Sequence, residues 1–374
     1  MVANIKQMTG AEFPLFAFSH CRDVVAAVSR AGGFGVLGGS SFTPETLRAE
    51  LDWIVDHVDG KPFGIDILIP ENLDFGADFT ADQLADRVPE KHRDFTIDLL
   101  ARHGVPLSKE EAVLRQLPQT SPQVGEALLD IAFDYPIHLV ANALGIAPPK
   151  MLEMGKARGV PVAALVGAKE HALRQVAAGV DVLVAQGTEA GGHCGEVSTL
   201  VLVPEVIAAI RPVREIPVLA AGGIVTGQQM AGCMAMGAQG VWTGSVWLAT
   251  VESETNQVFR EKMVQASSRD TIRSKYRTGK PSRQLRTSWH DAWEGPDSPG
   301  PLPMPLMGLI SEPAFRSITR ESEKGNPQAR ALNSYFVGQG VGLINEIRGA
   351  GSVVQQFKEE FAAALETLIA SIES

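Results

Sequence analysis

Three short apolar runs, each followed by glycine, constrain the fold of this chain most. They lie near 180–185, 217–220 and 240–243, and glycines follow at positions 187, 222, 223 and 244. Short runs rich in β-branched residues are typical of strands that are buried on both faces of a parallel sheet. Such a sheet needs helical connections, so the pattern predicts a protein of the α/β class.

Five earlier runs extend the same alternation of strand and helix. They are predicted strands at 13–18, 34–37, 63–69, 136–141 and 160–165, with helices at 23–31 and at 44–57, the latter opened by Thr43. Eight strands joined by helical crossovers predict a (β/α)8 TIM barrel. A chain of 374 residues is long enough for one such barrel with an insertion, or for two domains.

Residues 70–135 are too long for a simple crossover between strands 3 and 4 and contain many charged, helix-favouring residues. We predict a helical insertion over the barrel mouth there, a possible lid or substrate domain. Residues 1–69 and 136–374 would then form the barrel, with an amphipathic C-terminal helix at 352–372. A second excursion at 278–305 is dense in Pro, Gly and Trp and predicts an ordered loop.

Composition excludes several classes of partner. The net charge is −10 and no basic cluster is present, which argues against nucleic acid. No apolar run is long enough to span a membrane, and the first ten residues lack the apolar core of a signal peptide, so the expected location is the cytoplasm. The three cysteines lie far apart, which suggests neither a disulfide framework nor a metal site.

One histidine is the leading catalytic candidate. His193 lies in Gln186-Gly-Thr-Glu-Ala-Gly-Gly-His-Cys-Gly195, directly after the predicted strand at 180–185. Glycines allow the backbone to approach a flat ligand closely. The alternative is a structural histidine whose hydrogen bonds are satisfied within the loop. Cys194 is interpreted as a packing residue rather than a nucleophile.

A second signal indicates a phosphate site. The turn at Gly222-Gly223 precedes a predicted helix capped by Thr226, and another helix is predicted to start after Gly244-Ser245. Glycine loops at helix N-termini bind phosphate through backbone N–H groups, and the loops after strands 7 and 8 are the usual phosphate site of a (β/α)8 barrel. Ordinary tight turns are the structural alternative.

A glycine motif and the remaining histidines are two further features of the sequence. The motif Gly33-Phe-Gly-Val-Leu-Gly38 matches G-x-G-x-x-G, but its strand occupies the motif and a helix precedes it, so it is not a dinucleotide site. The remaining histidines show no ligand spacing. His20 closes the first strand and is expected at the barrel mouth.

Four segments together resemble the nitronate monooxygenase family, formerly called 2-nitropropane dioxygenases, whose superfamily includes flavin-dependent enoyl-acyl carrier protein reductases. They are Ala27-Val-Ser-Arg-Ala-Gly-Gly-Phe-Gly35, the segment 186–195, Pro217-Val-Leu-Ala-Ala-Gly-Gly-Ile224 and Tyr335-Phe-Val-Gly-Gln-Gly340. The resemblance implies an FMN-containing TIM barrel with His193 over the flavin. It implies that the phosphate is held by Gly222, Gly223, Gly244 and Ser245. Further cofactor contacts that it implies are Ala17, Phe18, Ser19, Asp66, Asn142, Leu165, Gln186, Gly187, Gly191, Gly192 and Thr243.

Two departures from the family pattern affect the substrate side. The first strand ends Phe16-Ala-Phe-Ser-His20 instead of a Gln-Ala-Pro-Met-like sequence, and Asp66 replaces the usual asparagine. A carboxylate at this position disfavours an anionic substrate or a reduced flavin unless Asp66 is protonated or paired.

The resulting hypothesis is FMN-dependent oxidation of a nitroalkane or alkyl nitronate by O2 to a carbonyl and nitrite. His193 would take the Cα proton or hydrogen-bond the anion. The alternatives are an NAD(P)H-dependent flavin reductase acting on an enoyl thioester or a quinone, with His193 as proton donor, and a non-catalytic barrel that binds flavin or a phosphorylated metabolite. The substrate, the use of NAD(P)H and a possible homodimer are left open by the sequence.

Overall fold

Eight parallel strands form a closed barrel, as predicted. The computed structural model describes residues 4–69, 80–115 and 122–373. The barrel strands are β1 (Leu15–Ser19), β2 (Phe34–Gly38), β3 (Phe63–Asp66), β4 (Val140–Asn142), β5 (Val162–Val166), β6 (Val182–Gln186), β8 (Val218–Ala221) and β9 (Gly240–Thr243). They follow one another around the barrel in this order, and β9 pairs with β1.

Helices pack around the outside of this barrel. They are α2 (Arg22–Arg30), α3 (Pro44–His57), α6 (Pro122–Ala132), α7 (Pro149–Arg158), α8 (Lys169–Ala178), α9 (Thr199–Ile210), α10 (Gly227–Ala235) and α15 (Ala350–Glu373). The start of α3 follows from its sequence, because Thr43 and Thr46 form a reciprocal capping box and Pro44 fits the first helical position. Helix α1 (Ile5–Thr9) precedes the first strand.

Side-chain alternation divides the barrel core into two layers. Phe16, Phe34 and Trp242 point inward and fill the barrel interior, with the rings of Phe16 and Phe34 4.8 Å apart. The neighbouring residues on the same strands, such as Leu15 and Ala17, point outward and pack under the helices. The interior below the mouth is therefore packed with side chains, and any ligand must lie above it.

Helix α15 is the predicted C-terminal helix on the outside of the barrel. It takes the eighth helical position. It packs on α10 and α2. The approach to α10 is close, because a Cβ added at Gly227 would lie 2.2 Å from the carbonyl oxygen of Phe357. The prediction of another helix after Gly244-Ser245 is confirmed only as a short 3-10 turn at Ser245–Ala249.

The predicted insertion at 70–135 contains three helices in its described part. Helix α6 packs on the barrel core, as a helix that follows β3 should. Helices α4 (Ala81–Ala85) and α5 (Glu90–Arg102) instead join a second apolar core. The division into domains and the role of a lid stay predictions, and residues 70–79 and 116–121 of the segment lie outside the described residues.

The second core also contains the C-terminal helices α12 (Ser288–Glu294), α13 (Leu306–Glu323) and α14 (Pro327–Leu332), while α11 (Gln257–Gln265) packs against the barrel core. The prediction of a loop at 278–305 is therefore wrong for part of that segment, which forms a strand and α12. Burial of Trp289 and Trp293 stabilises this helix despite its weak periodicity.

A small antiparallel sheet lies beside the barrel. Its strands are β10 (Thr271–Ser274), β11 (Ser282–Leu285) and β7 (Gly192–His193), and β11 lies between the other two. His193 pairs with Ser282 in this sheet, so the candidate catalytic residue is held by backbone hydrogen bonds to the second excursion. No helix in the described ranges is both long and apolar enough to cross a membrane.

Candidate active site

A cavity of about 670 Å³ opens at the carboxyl ends of the barrel strands. Four inward-pointing residues at the strand ends line it: Phe18, Asp66, Leu165 and Gln186. This end of a (β/α)8 barrel is where active sites form, and the volume is typical of small-molecule sites.

Most of the predicted site residues meet at this cavity. Those that line it are Phe18, Ser19, Asp66, Leu165, Gln186, Gly191, Gly192, His193, Gly222, Gly223, Thr243, Gly244 and Ser245. His20 lines it as well, as expected of a residue at the mouth.

Three predicted cofactor contacts do not line the cavity. Ala17 belongs to the outward layer beneath the helices. The side chain of Asn142 accepts a hydrogen bond from the backbone N–H of Ile69 at 2.8 Å and is fully buried. Gly187 packs against the start of α9, where an added Cβ would lie 2.2 Å from Thr199 Oγ1. The strand parity of Ala17 and the packing of the other two residues explain why they do not line the cavity, and their assignment as cofactor contacts stays a prediction.

The hydrogen bonds of His193 define its tautomer. Nε2 of His193 lies 2.9 Å from the hydroxyl of Thr278. That hydroxyl donates its proton to the carbonyl of Lys280 at 3.0 Å, since a carbonyl oxygen only accepts. Nε2 must therefore carry the proton and donate it to Thr278, and Nδ1 of the neutral ring keeps a free lone pair.

The environment of His193 also keeps the ring neutral. Burial lowers its pKa to about 4, and the positive charge of Lys280 contributes to the decrease. The ordinary value of about 6.5 that the sequence suggests therefore does not apply. At neutral pH the Nδ1 atom is therefore unprotonated and can accept a hydrogen bond or a proton, while Nε2–H stays bonded to Thr278.

Asp66 is the buried carboxylic acid of the cavity lining. Its side chain is 6% exposed, and no ion pair reaches it within the described parts of the chain. Burial raises its pKa to about 7. A large fraction of this carboxyl is therefore protonated at neutral pH. Protonation is one of the two conditions, beside pairing with a cation, under which Asp66 does not disfavour an anionic substrate or a reduced flavin.

The glycine turns present unpaired backbone donors to the cavity. Gly222 and Gly223 have positive φ angles of 111° and 71°, which side-chain-bearing residues rarely adopt. Across the described residues, no protein acceptor receives the backbone N–H groups of Gly222, Gly223 or Gly244. The hydroxyl of Ser245 accepts from the N–H of Gly338 at 2.8 Å, so its own proton is available to a ligand. Free donors beside a cavity match the chemistry of a phosphate group.

The N-terminus of α10 supplies fewer free backbone N–H donors to the cavity than predicted. Thr226 caps this helix, as the sequence indicates, and accepts from the N–H of Gln229 at 3.2 Å. The N–H of Gly227 donates to the carboxylate of Glu360 at 2.7 Å. Two of the first donors of α10 are thus already used, and the anion donors lie in the preceding loop.

Some functional candidates were missed by sequence reasoning. Thr278 and Lys280 lie on the hairpin that connects β10 to β11, and Lys280 and Phe336 line the cavity. Of these residues, only Phe336 could have been found from the sequence, because it lies in the segment 335–340 that carries the family resemblance. Cys194 also borders the cavity, but burial raises the pKa of its thiol, in agreement with its interpretation as a packing residue.

Comparison with known proteins identifies the family. The family model described as nitronate monooxygenase matches residues 14–360. The chain belongs to the nitronate monooxygenase family. Membership makes it an oxidoreductase with a small-molecule substrate, which sets aside a non-catalytic barrel, and the family implies a flavin cofactor.

Relatives match over most of the chain. Rv1533 of Mycobacterium tuberculosis, which carries the name of a monooxygenase, is 50% identical over 367 residues, covering 96% of each chain. A protein of Staphylococcus saprophyticus named as a nitronate monooxygenase is 29% identical over 278 residues, covering 71% of this chain and 72% of the relative.

Solved structures share the architecture. Nitroalkane oxidase from Streptomyces ansochromogenes superposes with a TM-score of 0.80 over 98% of this chain and all of its own, at 24% identity, a likeness of fold alone. FabK from Thermotoga maritima superposes with a TM-score of 0.68 at 26% identity over 99% of this chain and all of its own. The TIM-barrel fold of this family member is thereby confirmed.

Replacing Asp66 by asparagine should stabilise the protein more at high pH than at low pH. Because the pKa of this carboxyl is higher in the folded protein than in the unfolded chain, the unfolding free energy of the parent protein falls as the pH rises from about 4 through 7. Urea unfolding of Asp66→Asn should give a gain in unfolding free energy that is about 2–3 kcal/mol larger at pH 8 than at pH 5. Asp98→Asn, at an exposed position on α5, is the control, and equal gains at both pH values would contradict the assignment.

Proposed function

We propose that this chain is an FMN-dependent enzyme that oxidises small nitroalkanes or their nitronates with O2 to a carbonyl and nitrite. His193 is the catalytic base. The observation that carries this proposal is the neutral His193 ring in the cavity, with Nε2–H donated to Thr278 and Nδ1 left as the acceptor.

The residues at the glycine turns fit the phosphate of FMN. The N–H groups of Gly222, Gly223 and Gly244 and the hydroxyl of Ser245 are the donors that would hold it. The apolar cavity lined by Phe18 and Leu165 suits a flat aromatic ring system. When bound, FMN supplies the redox chemistry, taking electrons from the substrate and passing them to O2.

The protein's own contribution is proton removal and shielding from water. The lone pair of His193 Nδ1 takes the Cα proton of a nitroalkane, whose negative charge then spreads over the nitro oxygens. The aromatic rings of Phe18 and Phe336 border the same cavity and limit the access of water. A neutral imidazole is ready for this step without first losing a proton.

The phosphate assignment predicts that Gly223→Ala loses the cofactor. A side chain at a φ of +71° is strained, and the added Cβ would lie 2.9 Å from Cβ of Glu189. We expect FMN to dissociate at least tenfold more readily, as measured by flavin fluorescence during dialysis. Gly232→Ala, inside α10 with open space around it, is the matched control and should keep FMN. Equal FMN retention in both variants would refute the phosphate site.

Removal of the base should abolish turnover but not cofactor binding. His193→Ala is expected to lower kcat/KM for nitroethane by about 10²–10⁴-fold with the flavin spectrum retained. In the parent enzyme the base form of His193 persists down to its pKa of about 4, so the acid limb of the kcat/KM profile should lie well below pH 6.5. Full turnover of the FMN-loaded variant would contradict the role of His193.

Thr278 is a positioning residue for this base. Thr278→Val keeps the side-chain shape but removes the acceptor of Nε2–H, so the proton should redistribute to Nδ1. The tautomer is measured by NMR of ¹³C,¹⁵N-histidine-labelled enzyme, with His193→Ala to assign the signal. We expect a mixed tautomer and an approximately tenfold lower kcat/KM, and Thr278→Ser should restore both. An unchanged tautomer in Thr278→Val would remove this role.

The second candidate function is an NAD(P)H-dependent flavin reductase. It is favoured by a second cavity of about 520 Å³ that shares Ser19, His20, Leu248 and Tyr335 with the first and leaves room for a larger substrate. With a pKa of about 4, His193 is not in the imidazolium form at neutral pH and so has no extra proton to donate in that reaction. Anaerobic bleaching of the flavin by NADPH or NADH, with none by ethyl nitronate, would assign the protein to this class.

A further inference from the structure

Lys280 is a cation that the proposed mechanism has not used. It lies on the hairpin between β10 and β11, lines the cavity together with His193, and is half-buried. Its ammonium has neither an ion pair nor a hydrogen bond to any residue that the structure describes. A half-buried, unpaired cation at the edge of a ligand cavity is suited to pairing with a bound anion.

The backbone around Lys280 is fixed relative to His193. The hydroxyl of Thr278 accepts from the N–H of Lys280 at 3.3 Å and donates to its carbonyl at 3.0 Å. Gly279 between them has a φ of 88°, and an added Cβ would lie 2.3 Å from the backbone nitrogen of Met304. The same hydroxyl therefore holds both the base and the loop that carries the lysine.

The cavity as a whole favours negative charge. Besides Lys280 and His193, its titratable lining consists of His20, Asp66, His171, Arg174, Cys194, Tyr335 and Arg273. Arg273 is within 3.4 Å of the carboxylate of Glu196, whereas Lys280 has no such counter-ion. Asp66 is the acidic residue among them, and burial favours its neutral form. The positive charge that acts on His193 is therefore uncompensated.

We propose that Lys280 stabilises the nitronate anion that forms when His193 removes the Cα proton of the substrate. The inference rests on the proposed function and assigns a second catalytic residue to it. In this step the Cα–H bond breaks, the proton joins Nδ1 of His193, and the bonding pair forms the C=N bond of the nitronate. The displaced N=O electron pair goes to oxygen, so the charge lies on the nitro oxygens beside the ammonium.

The charge of Lys280 has two opposite effects on the reaction. It disfavours the imidazolium form of His193, which weakens the base. It also lowers the free energy of the developing nitronate, which acidifies the Cα–H bond. A fixed charge aimed at the site where negative charge develops is among the largest contributions to catalysis. The charge of Lys280 thus lowers the basicity of His193 but raises the acidity of the substrate Cα–H bond, so that a weak base can still remove the proton.

The test measures proton removal separately from oxidation. Exchange of the Cα hydrogens of nitroethane for deuterium is followed by ¹H NMR in D2O without oxygen, using the holoenzyme. We expect Lys280→Met to slow enzyme-catalysed exchange at least 30-fold and to raise KM for preformed ethyl nitronate at least tenfold. Lys280→Arg should retain exchange within about threefold, because it keeps the charge. Lys275→Met, an exposed lysine on the same hairpin, is the matched control and should behave as the parent.

The possible failures can be told apart. Exchange by Lys280→Met at the rate of the parent enzyme, while His193→Ala is inactive, would overturn the role of Lys280 and leave the proposed function intact. A parent enzyme that neither exchanges nitroethane nor oxidises nitronate would overturn both. NMR titration provides a readout without substrate, because Lys280→Met should raise the pKa of His193. An unchanged pKa would show that the ammonium does not act on the base.

Discussion

Closure of eight strands into a barrel is the constraint on which the rest of this structure depends. Because side chains alternate along each strand, closure sends one set into the interior and the other under the helices. Phe16, Phe34 and Trp242 fill the interior, and the next inward positions toward the carboxyl ends form the cavity floor, where Phe18 and Asp66 lie. Burial at that floor raises the pKa of Asp66 to about 7.

The catalytic candidate depends on a second structural element. His193 does not lie on a barrel strand but on the edge of the small sheet, paired with Ser282. The hairpin of that sheet supplies Thr278, which orients the ring, and Lys280, which adds charge. In the proposed function, the barrel would therefore hold the cofactor, the loop after β6 would carry the base, and the excursion after β9 would orient that base and add charge.

Much of this organisation was predictable from the sequence, for identifiable reasons. Apolar runs ending in glycine predicted the barrel and the Gly222-Gly223 turn, because buried parallel strands and positive φ angles restrict residue choice strongly. Strand parity could also have separated Phe18 from Ala17, yet the family resemblance assigned both to the cofactor. The partners of His193 were not predictable, since Thr278 is 85 residues away and its contact depends on how β11 pairs with β7. The tryptophans of α12 form a core with helices that are distant in sequence, and local periodicity does not predict such packing.

The position of α15 has a consequence for biosynthesis. Strand β9 closes the sheet, but the helix that covers the gap between α10 and α2 begins at Ala350, about a hundred residues later in the chain. During translation, which proceeds from the N-terminus, the small sheet and the second core leave the ribosome before this helix does. Throughout that interval α15 is not available to cover the surfaces of α2 and α10 on which it packs. The nascent barrel thus reaches its complete form only when the last helix emerges.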